Sequence, residues 1–106
     1  DSMFAESERA SAMRVIRQRD PNFDMVRFLL GVRQDIPVLL KAYLTGDTEV
    51  LKQTCSKEMV ERLSGQHKFL TQEGQVIDST ILDTGEIELI DVKVLEGHPL
   101  IVVRFS

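Results

Sequence analysis

The sequence predicts an α+β fold in which N-terminal helices pack on an antiparallel sheet. Apolar residues follow the three-and-four spacing of helices through residue 74, and from residue 75 they alternate as in strands. With 106 residues, 42% hydrophobic and 28% charged, the chain has the composition of a globular domain. We therefore expect one domain over 1–106, helical over 1–74 and stranded over 75–106, and partial because its sheet is unfinished.

Composition and motifs exclude several functional classes. The formal net charge of −4 argues against nucleic acid as a partner. The single cysteine, Cys55, excludes a disulfide framework and a cysteine-based zinc module. No Gly-x-Gly pair is present to bind phosphate, and His67 and His98 lack the spacing of metal ligands. The sequence predicts no catalytic residue, no metal ligand and no cofactor.

The first helix is predicted from Met3 to Arg19 and must end before the Asp20–Pro21 pair, because proline disfavours helical geometry in the preceding residue. Its predicted buried face lies within about 120° of the helix circumference. The residues of this face are Phe4, Ala5, Ala12, Val15 and Ile16.

The arginines of this helix are the candidate membrane contacts, namely Arg9, Arg14, Arg17 and Arg19. Helical spacing places Arg9 and Arg17 in a row on one flank of the apolar face, with Arg14 and Arg19 on the other. A basic amphipathic helix binds anionic lipid, whereas a helix with the same pattern also packs on its own domain. Both interpretations remain open from the sequence.

The second helix has clear signals at both ends. Asp24 is its predicted N-cap, and Phe23 is placed to pack on Phe28 as a hydrophobic staple. Pro37 interrupts the apolar stripe and predicts a bend, and Gly46 predicts the end of the helix. A short helix is then expected over Thr48–Thr54, and Ser56 is predicted to cap a fourth helix that ends near Gln72.

The remaining residues predict strands. A first extended stretch is expected over Val76–Leu82, with a break at Thr84–Gly85. The apolar phase changes between Leu89 and Ile90, which predicts a β-bulge. Glu96–Gly97 predicts a tight turn, and His98–Pro99 begins the last strand.

The last strand predicts an incomplete sheet. Leu100–Val103 is apolar on both faces, as expected for an interior strand, yet the chain stops at Ser106. We therefore expect the chain to be a fragment of a longer protein that self-associates through the exposed strand edge. The acidic first residues also predict that no targeting leader stands at this start.

Several segments carry a resemblance to a known family. In chain order they are Arg19–Asp24, Tyr43–Leu51, Cys55–Glu58, Ile81–Asp83, Ile87–Leu89 and Pro99–Phe105. Their order and spacing over about residues 10–106 resemble the C-terminal domains of the forty-four-kilodalton peripheral subunits of the mitochondrial inner-membrane presequence translocase. The resemblance implies a cone-shaped, nuclear-transport-factor-two-like fold with helices against a curved antiparallel sheet.

The same resemblance implies a function. It implies a non-enzymatic scaffold, peripheral to the matrix side of the mitochondrial inner membrane, that tethers the import motor and binds precursor polypeptides. The implied partners are the translocation channel and, through the wider protein, the matrix heat-shock chaperone. Helices at the N-terminal side of this domain are implicated in membrane recruitment in the family, which makes anionic inner-membrane lipid a further expected partner.

Two other functions are alternatives to the scaffold. A related domain anchors the large mitochondrial ribosomal subunit at the same membrane, but the excess of 17 acidic over 13 basic residues argues against a ribosomal surface. Enzymes of the cone-shaped superfamily, such as isomerases and dehydratases, use a pocket acid with a histidine or tyrosine. Tyr43 and His67 are the residues such an enzyme would use, although no complete constellation is present.

Overall fold

Four helices precede a two-stranded antiparallel sheet in the part of the chain that the structure describes, which confirms the α+β class. The structure is a computed structural model, and it describes residues 2–75, 78, 80 and 85–106. The elements are α1 (Ser2–Arg19), α2 (Met25–Thr45), α3 (Thr48–Thr54), α4 (Lys57–Gln72), β1 (Ile87–Leu95) and β2 (His98–Phe105). The extended stretch expected over 76–82 and the break at Thr84 lie outside the described residues, apart from Asp78 and Thr80.

The chain divides into two compact units, and the first combines residues 1–32 with 85–106. Its core forms where Ala12 and Ile16 of α1 pack on Val92 of β1. All three side chains are buried, Val92 with only 2% of its surface exposed. Both α1 residues belong to the face predicted from helical spacing. Partly buried side chains of Met13, Phe23, Met25, Leu89 and Ile101 surround this core.

The β1–β2 hairpin contains the predicted bulge and turn. Leu89 pairs with Val103 and Asp91 pairs with Val102, so Ile90 is the extra residue in β1. Glu96 and Gly97 form the turn with φ angles of 51° and 79°, which is the geometry of a type I′ hairpin. The bulge keeps the apolar residues on both of its sides on the face that α1 covers.

The second face of β2 lacks the cover that its sequence predicted, within the residues that the structure describes. Leu100, which lies on the face opposite to Ile101, is 39% exposed. The reason is geometric, because α1 lies on one face of the hairpin only and side chains alternate between faces.

The second unit comprises residues 33–84 and has its own core. Ala42 of α2, Leu51 of α3 and Val60 of α4 form its core, and Ile36 of α2 is also buried. The apolar spacing of α2 predicts a buried face that includes Leu39 and Tyr43 but not Ala42. The spacing of α4 predicts burial of Met59, which is 43% exposed. A short side chain at position 42 lets the backbones of neighbouring helices approach, which hydrophobic periodicity alone does not show.

The start of α2 shows the expected cap. The Asp24 carboxylate accepts hydrogen bonds from the amides of Val26 at 3.0 Å and Arg27 at 3.3 Å. The rings of Phe23 and Phe28 lie 5.7 Å apart between centroids. Phe28 therefore packs on Phe23, as the hydrophobic staple predicts, and stays 38% exposed.

Candidate functional site

The four candidate arginines of α1 form two pairs with different surroundings. We call Arg9 and Arg19 the sheet-bound pair, because both donate hydrogen bonds to backbone carbonyls of the hairpin. We call Arg14 and Arg17 the outward pair. Arg14 donates to Ser11 Oγ one turn earlier, at 3.1 Å, and the side chain of Arg17 is exposed. The predicted placement of Arg19 on the flank opposite Arg9 is wrong. Both residues bind the hairpin, and at about 100° per residue they lie within about 80° of each other around the helix.

Arg9 binds the hairpin at its bulge. Its Nη2 atom donates to the carbonyl oxygen of Ile90 at 2.6 Å. Its Nε atom lies 3.7 Å from Oδ1 of Asp91, and both side chains are partly exposed. The same Asp91 oxygen accepts from the amide of Val92 at 2.8 Å. Ile90 has no partner residue in β2, so Arg9 binds the hairpin at its bulged residue.

Arg19 binds the hairpin at the turn between β1 and β2. Its Nη2 atom donates to the carbonyl oxygen of Gly97 at 2.5 Å. Gly97 is the second residue of the tight turn, where the backbone leaves the strand ladder. The middle and the C-terminal end of α1 are thus bonded to the bulge and to the turn of the hairpin. The change of apolar phase at Ile90 predicts the bulge that Arg9 binds, but it does not indicate that Arg9 is the donor.

The outward pair lies on the side of α1 that faces away from the hairpin core. At about 100° per residue, Arg14 lies roughly 180° and Arg17 roughly 120° from the middle of the face that carries the sheet-bound pair. Ala10 lies on the same exposed side. From Arg9 to Arg19 the helix contains no acidic residue. All charged side chains from Arg9 to Arg19 are therefore positive, which favours an anionic partner for this side of α1.

A groove of about 510 Å³ runs between α1 and β1. Ala12, Val15 and Val94 form its apolar floor, with Glu8 and Lys93 at its rim. Opposite charges on the rim of an open groove give no preference for one sign of ligand.

Gly46, which the sequence predicts as the end of α2, lies in a tight junction between α2 and α3. Gly46 has a φ of 72°, and its amide donates to Tyr43 O while the amide of Asp47 donates to Ala42 O at 2.8 Å. This pattern is a Schellman motif. The Asp47 carboxylate then accepts from the amide of Val50 and caps α3. One turn therefore ends α2 and begins α3 without an intervening loop.

The sequence also predicts structural roles for Ser56, which directly precedes α4, and for Pro37 in α2. Ser56 Oγ accepts from the amide of Met59 at 3.2 Å and caps α4. Pro37 lies inside α2, which continues on both sides of it.

The residues considered for catalysis have packing contacts instead. Tyr43 and Cys55 are partly buried beside the Ala42 core. His67 packs against Gly46, and its Nδ1 atom is buried without a hydrogen-bond partner. The sequence does not indicate that His67 and Gly46 are neighbours, because the contact joins two different helical regions.

Charged residues of the sheet form surface pairs. Glu88 and Arg104 lie opposite each other across the strands, and their side chains meet at 2.7 Å. The hydrogen bond with Glu88 and its negative charge raise the pKa of the exposed Arg104 guanidinium. Among the described residues, no three His, Cys, Asp or Glu side chains cluster closely enough to hold a metal ion.

The family model and the curated relatives that match this chain point to the same family. The model of the Tim44-like domain matches residues 9–106. Subunit TIM44-1 of the mitochondrial import inner membrane translocase from Arabidopsis thaliana is 31% identical over the whole chain. The TIM44 subunits from Homo sapiens and Saccharomyces cerevisiae are 29% and 31% identical over 98% and 94% of the chain. The chain spans 22%, 23% and 24% of the lengths of these three relatives. None of the helices in the described part of the chain is both long and apolar enough to cross a membrane.

Proposed function

Because the chain belongs to the family of Tim44-like domains, we propose that it is a non-enzymatic scaffold module of the mitochondrial protein import motor. The proposed location is peripheral, on the matrix side of the inner membrane. The observation that carries the proposal is the family match over residues 9–106, together with relatives that are named import inner membrane translocase subunits.

The proposed partners are those of the import machinery. They are the translocation channel, incoming precursor polypeptides and, through the wider protein, the matrix heat-shock chaperone. The chain spans less than a quarter of the length of its relatives, so these contacts are proposed for the whole protein rather than for residues of this chain.

A non-enzymatic role is supported by how the polar side chains are used. Tyr43 packs in the core of the second unit and His67 packs on Gly46, so neither is free in an open cavity. The carboxylates of Asp24 and Asp47 cap helices, and Glu88 pairs with Arg104. These are contacts that hold a fold together rather than groups placed for proton transfer.

We also propose that α1 contacts anionic inner-membrane lipid through its arginines. The support is the basic stretch from Arg9 to Arg19, in which each cation near an anionic surface contributes around 1 kcal/mol. The whole chain is acidic, so the attraction has to be local to this helix.

The test uses the full-length protein in its own mitochondria. We expect it to resist protease in intact mitochondria, to leave the membrane in alkaline carbonate, and to co-purify with the translocation channel. Its depletion should slow the import of matrix-targeted precursors. Co-sedimentation with mitochondrial ribosomes, with import unaffected, would instead identify the ribosomal anchor and contradict the proposal.

A further inference from the structure

We infer that Arg9 and Arg19 are positioning residues: by binding the hairpin backbone they fix the rotation of α1, so that Arg14 and Arg17 meet an anionic lipid surface. The inference rests on the proposed membrane contact of α1 and names the residues that make that contact. The sequence names all four arginines as candidate membrane contacts, whereas the inference assigns lipid contact to Arg14 and Arg17 alone.

Both arginines of the sheet-bound pair already bind backbone carbonyls of the hairpin. Arg9 donates to Ile90 O at 2.6 Å and Arg19 donates to Gly97 O at 2.5 Å. A guanidinium gives these carbonyls a charge-assisted hydrogen bond, and the carboxylate of Asp91 adds an opposite charge 3.7 Å from Arg9 Nε. Transfer of either arginine to a lipid phosphate would break such a bond and leave a carbonyl without that donor.

Apolar packing alone specifies the rotation of α1 weakly. Among the described side chains of α1, only Ala12 and Ile16 are fully buried, and Ala12 offers a single methyl group. The sheet-bound arginines are ten residues apart along α1, which corresponds to about 15 Å of helix. Two polar contacts at that separation resist a rotation that the short apolar contact between them would tolerate.

The spacing of residues around α1 places the sheet-bound pair and Arg14 on opposite sides of the helix. Arg9, Ala12, Ile16 and Arg19 lie within an arc of about 80°. Arg14 lies opposite the middle of this arc, so its side chain points away from the hairpin when Arg9 and Arg19 point toward it. A helix that presented all four arginines to one flat membrane would have to leave the hairpin and expose Val92, which is 2% exposed.

The first experiment compares two double variants that each remove two positive charges, R14Q/R17Q and R9Q/R19Q. Flotation with phosphatidylcholine vesicles that contain cardiolipin is measured from low to physiological salt. We expect R14Q/R17Q to bind about thirtyfold more weakly and with a shallower salt dependence. We expect R9Q/R19Q to lose much less affinity and to keep the wild-type salt dependence. Equal losses of affinity and of salt dependence would overturn the inference.

The second experiment measures orientation, which a merely stabilising role would leave unchanged. The chain has no tryptophan, so single reporters are unambiguous. Ala10→Trp lies on the outward side of α1, and Leu95→Trp replaces a residue that is 53% exposed on the hairpin face turned away from α1. Brominated lipid should quench the first reporter strongly and the second weakly.

In the R9Q/R19Q background the difference between these reporters should shrink, because α1 is no longer held at one rotation. The conservative R9K/R19K variant keeps a donor at each position and should restore the difference. A difference that stays at its wild-type value in R9Q/R19Q would contradict the positioning role.

Amide hydrogen exchange distinguishes failure of this inference from failure of the proposed membrane contact. Without lipid, R9Q/R19Q should speed exchange in residues 87–98, and R14Q/R17Q should not. If wild-type protein does not bind cardiolipin vesicles, the membrane contact and the lipid-facing role of Arg14 and Arg17 both fail. If R9Q/R19Q leaves exchange unchanged, the sheet-bound pair does not hold α1 and the inference fails by itself.

Discussion

The imidazole of His67 lies directly over Gly46. A Cβ atom added to Gly46 would stand 2.7 Å from Nε2 of His67 and 2.8 Å from its Cδ2. Gly46 also has a φ of 72°, a conformation that residues with a Cβ seldom adopt. Two independent requirements therefore make this position a glycine, one from the backbone of the helix end and one from the side chain above it.

Replacement Gly46→Ala should lower the free energy of unfolding by about 2–3 kcal/mol, because backbone strain and the contact with His67 add. In a His67→Ala background the same replacement should cost only the backbone part, about 1 kcal/mol. Urea unfolding of the four proteins of this double-mutant cycle measures the difference. Identical costs in the two backgrounds would show that His67 imposes no steric limit.

Deletion of Ile90 should leave a regular hairpin that no longer binds Arg9 in the same way. The deletion removes the carbonyl that Arg9 uses, and we expect a loss of about 1–2 kcal/mol of stability. Arg9→Gln should then cost little more in the deletion variant, although it destabilises the parent chain. Additive effects in urea unfolding would mean that the two residues act independently.

Pro37 should bend α2 without ending it. The helix continues from Met25 to Thr45 through the proline, which has no amide to donate to the preceding turn. Pro37→Ala should straighten the helix and raise stability by about 1–3 kcal/mol. Residual dipolar couplings of the two halves of α2 measure the bend, and parallel halves in the parent chain would contradict the prediction.

Ser56→Ala should destabilise the chain by about 1 kcal/mol, because the amide of Met59 loses its side-chain acceptor at the start of α4. Ser56→Asp keeps an acceptor and serves as the matched control, with stability close to that of the parent. Thermal unfolding followed by circular dichroism compares the three proteins. Equal midpoints for Ser56→Ala and Ser56→Asp would argue against a capping role.

The exposed apolar residues of β2 predict self-association of the chain. In the part of the chain that the structure describes, β2 pairs with β1 along one edge, and Leu100 is 39% exposed. Light scattering coupled to size exclusion should show a concentration-dependent dimer. Leu100→Lys should weaken it, whereas His98→Lys beside the turn should not. A monomer at all concentrations would exclude the predicted edge contact.

Local signals allowed much of the fold to be predicted. Asp24 and Ser56 cap the helices that follow them, and the phase change at Ile90 is a bulge, because neighbouring residues along the chain determine these features. The turn at Glu96–Gly97 follows from the same kind of short-range preference.

The pairings across the chain could not be predicted in this way. Arg9 bonds to Ile90, 81 positions away, and helical spacing shows only that Arg9 lies beside Ala12 and Ile16, not which atom it binds. The contact of His67 with Gly46 likewise depends on how two helices pack. The choice of the four arginines as membrane contacts stays a prediction, while their division into two pairs follows from contacts with residues that are distant in the chain.

The contact between Arg9 and Ile90 also bears on the order of folding. Its two residues are 81 positions apart, and the unit that contains them is assembled from 1–32 and 85–106. Residues 33–84 form a unit that is continuous in the chain. Contacts that close long loops form slowly, so a polypeptide delivered N-terminus first completes the continuous unit early. Until the hairpin residues arrive, Ala12 and Ile16 have no strand to cover them, and α1 is the segment that a chaperone would have to shield.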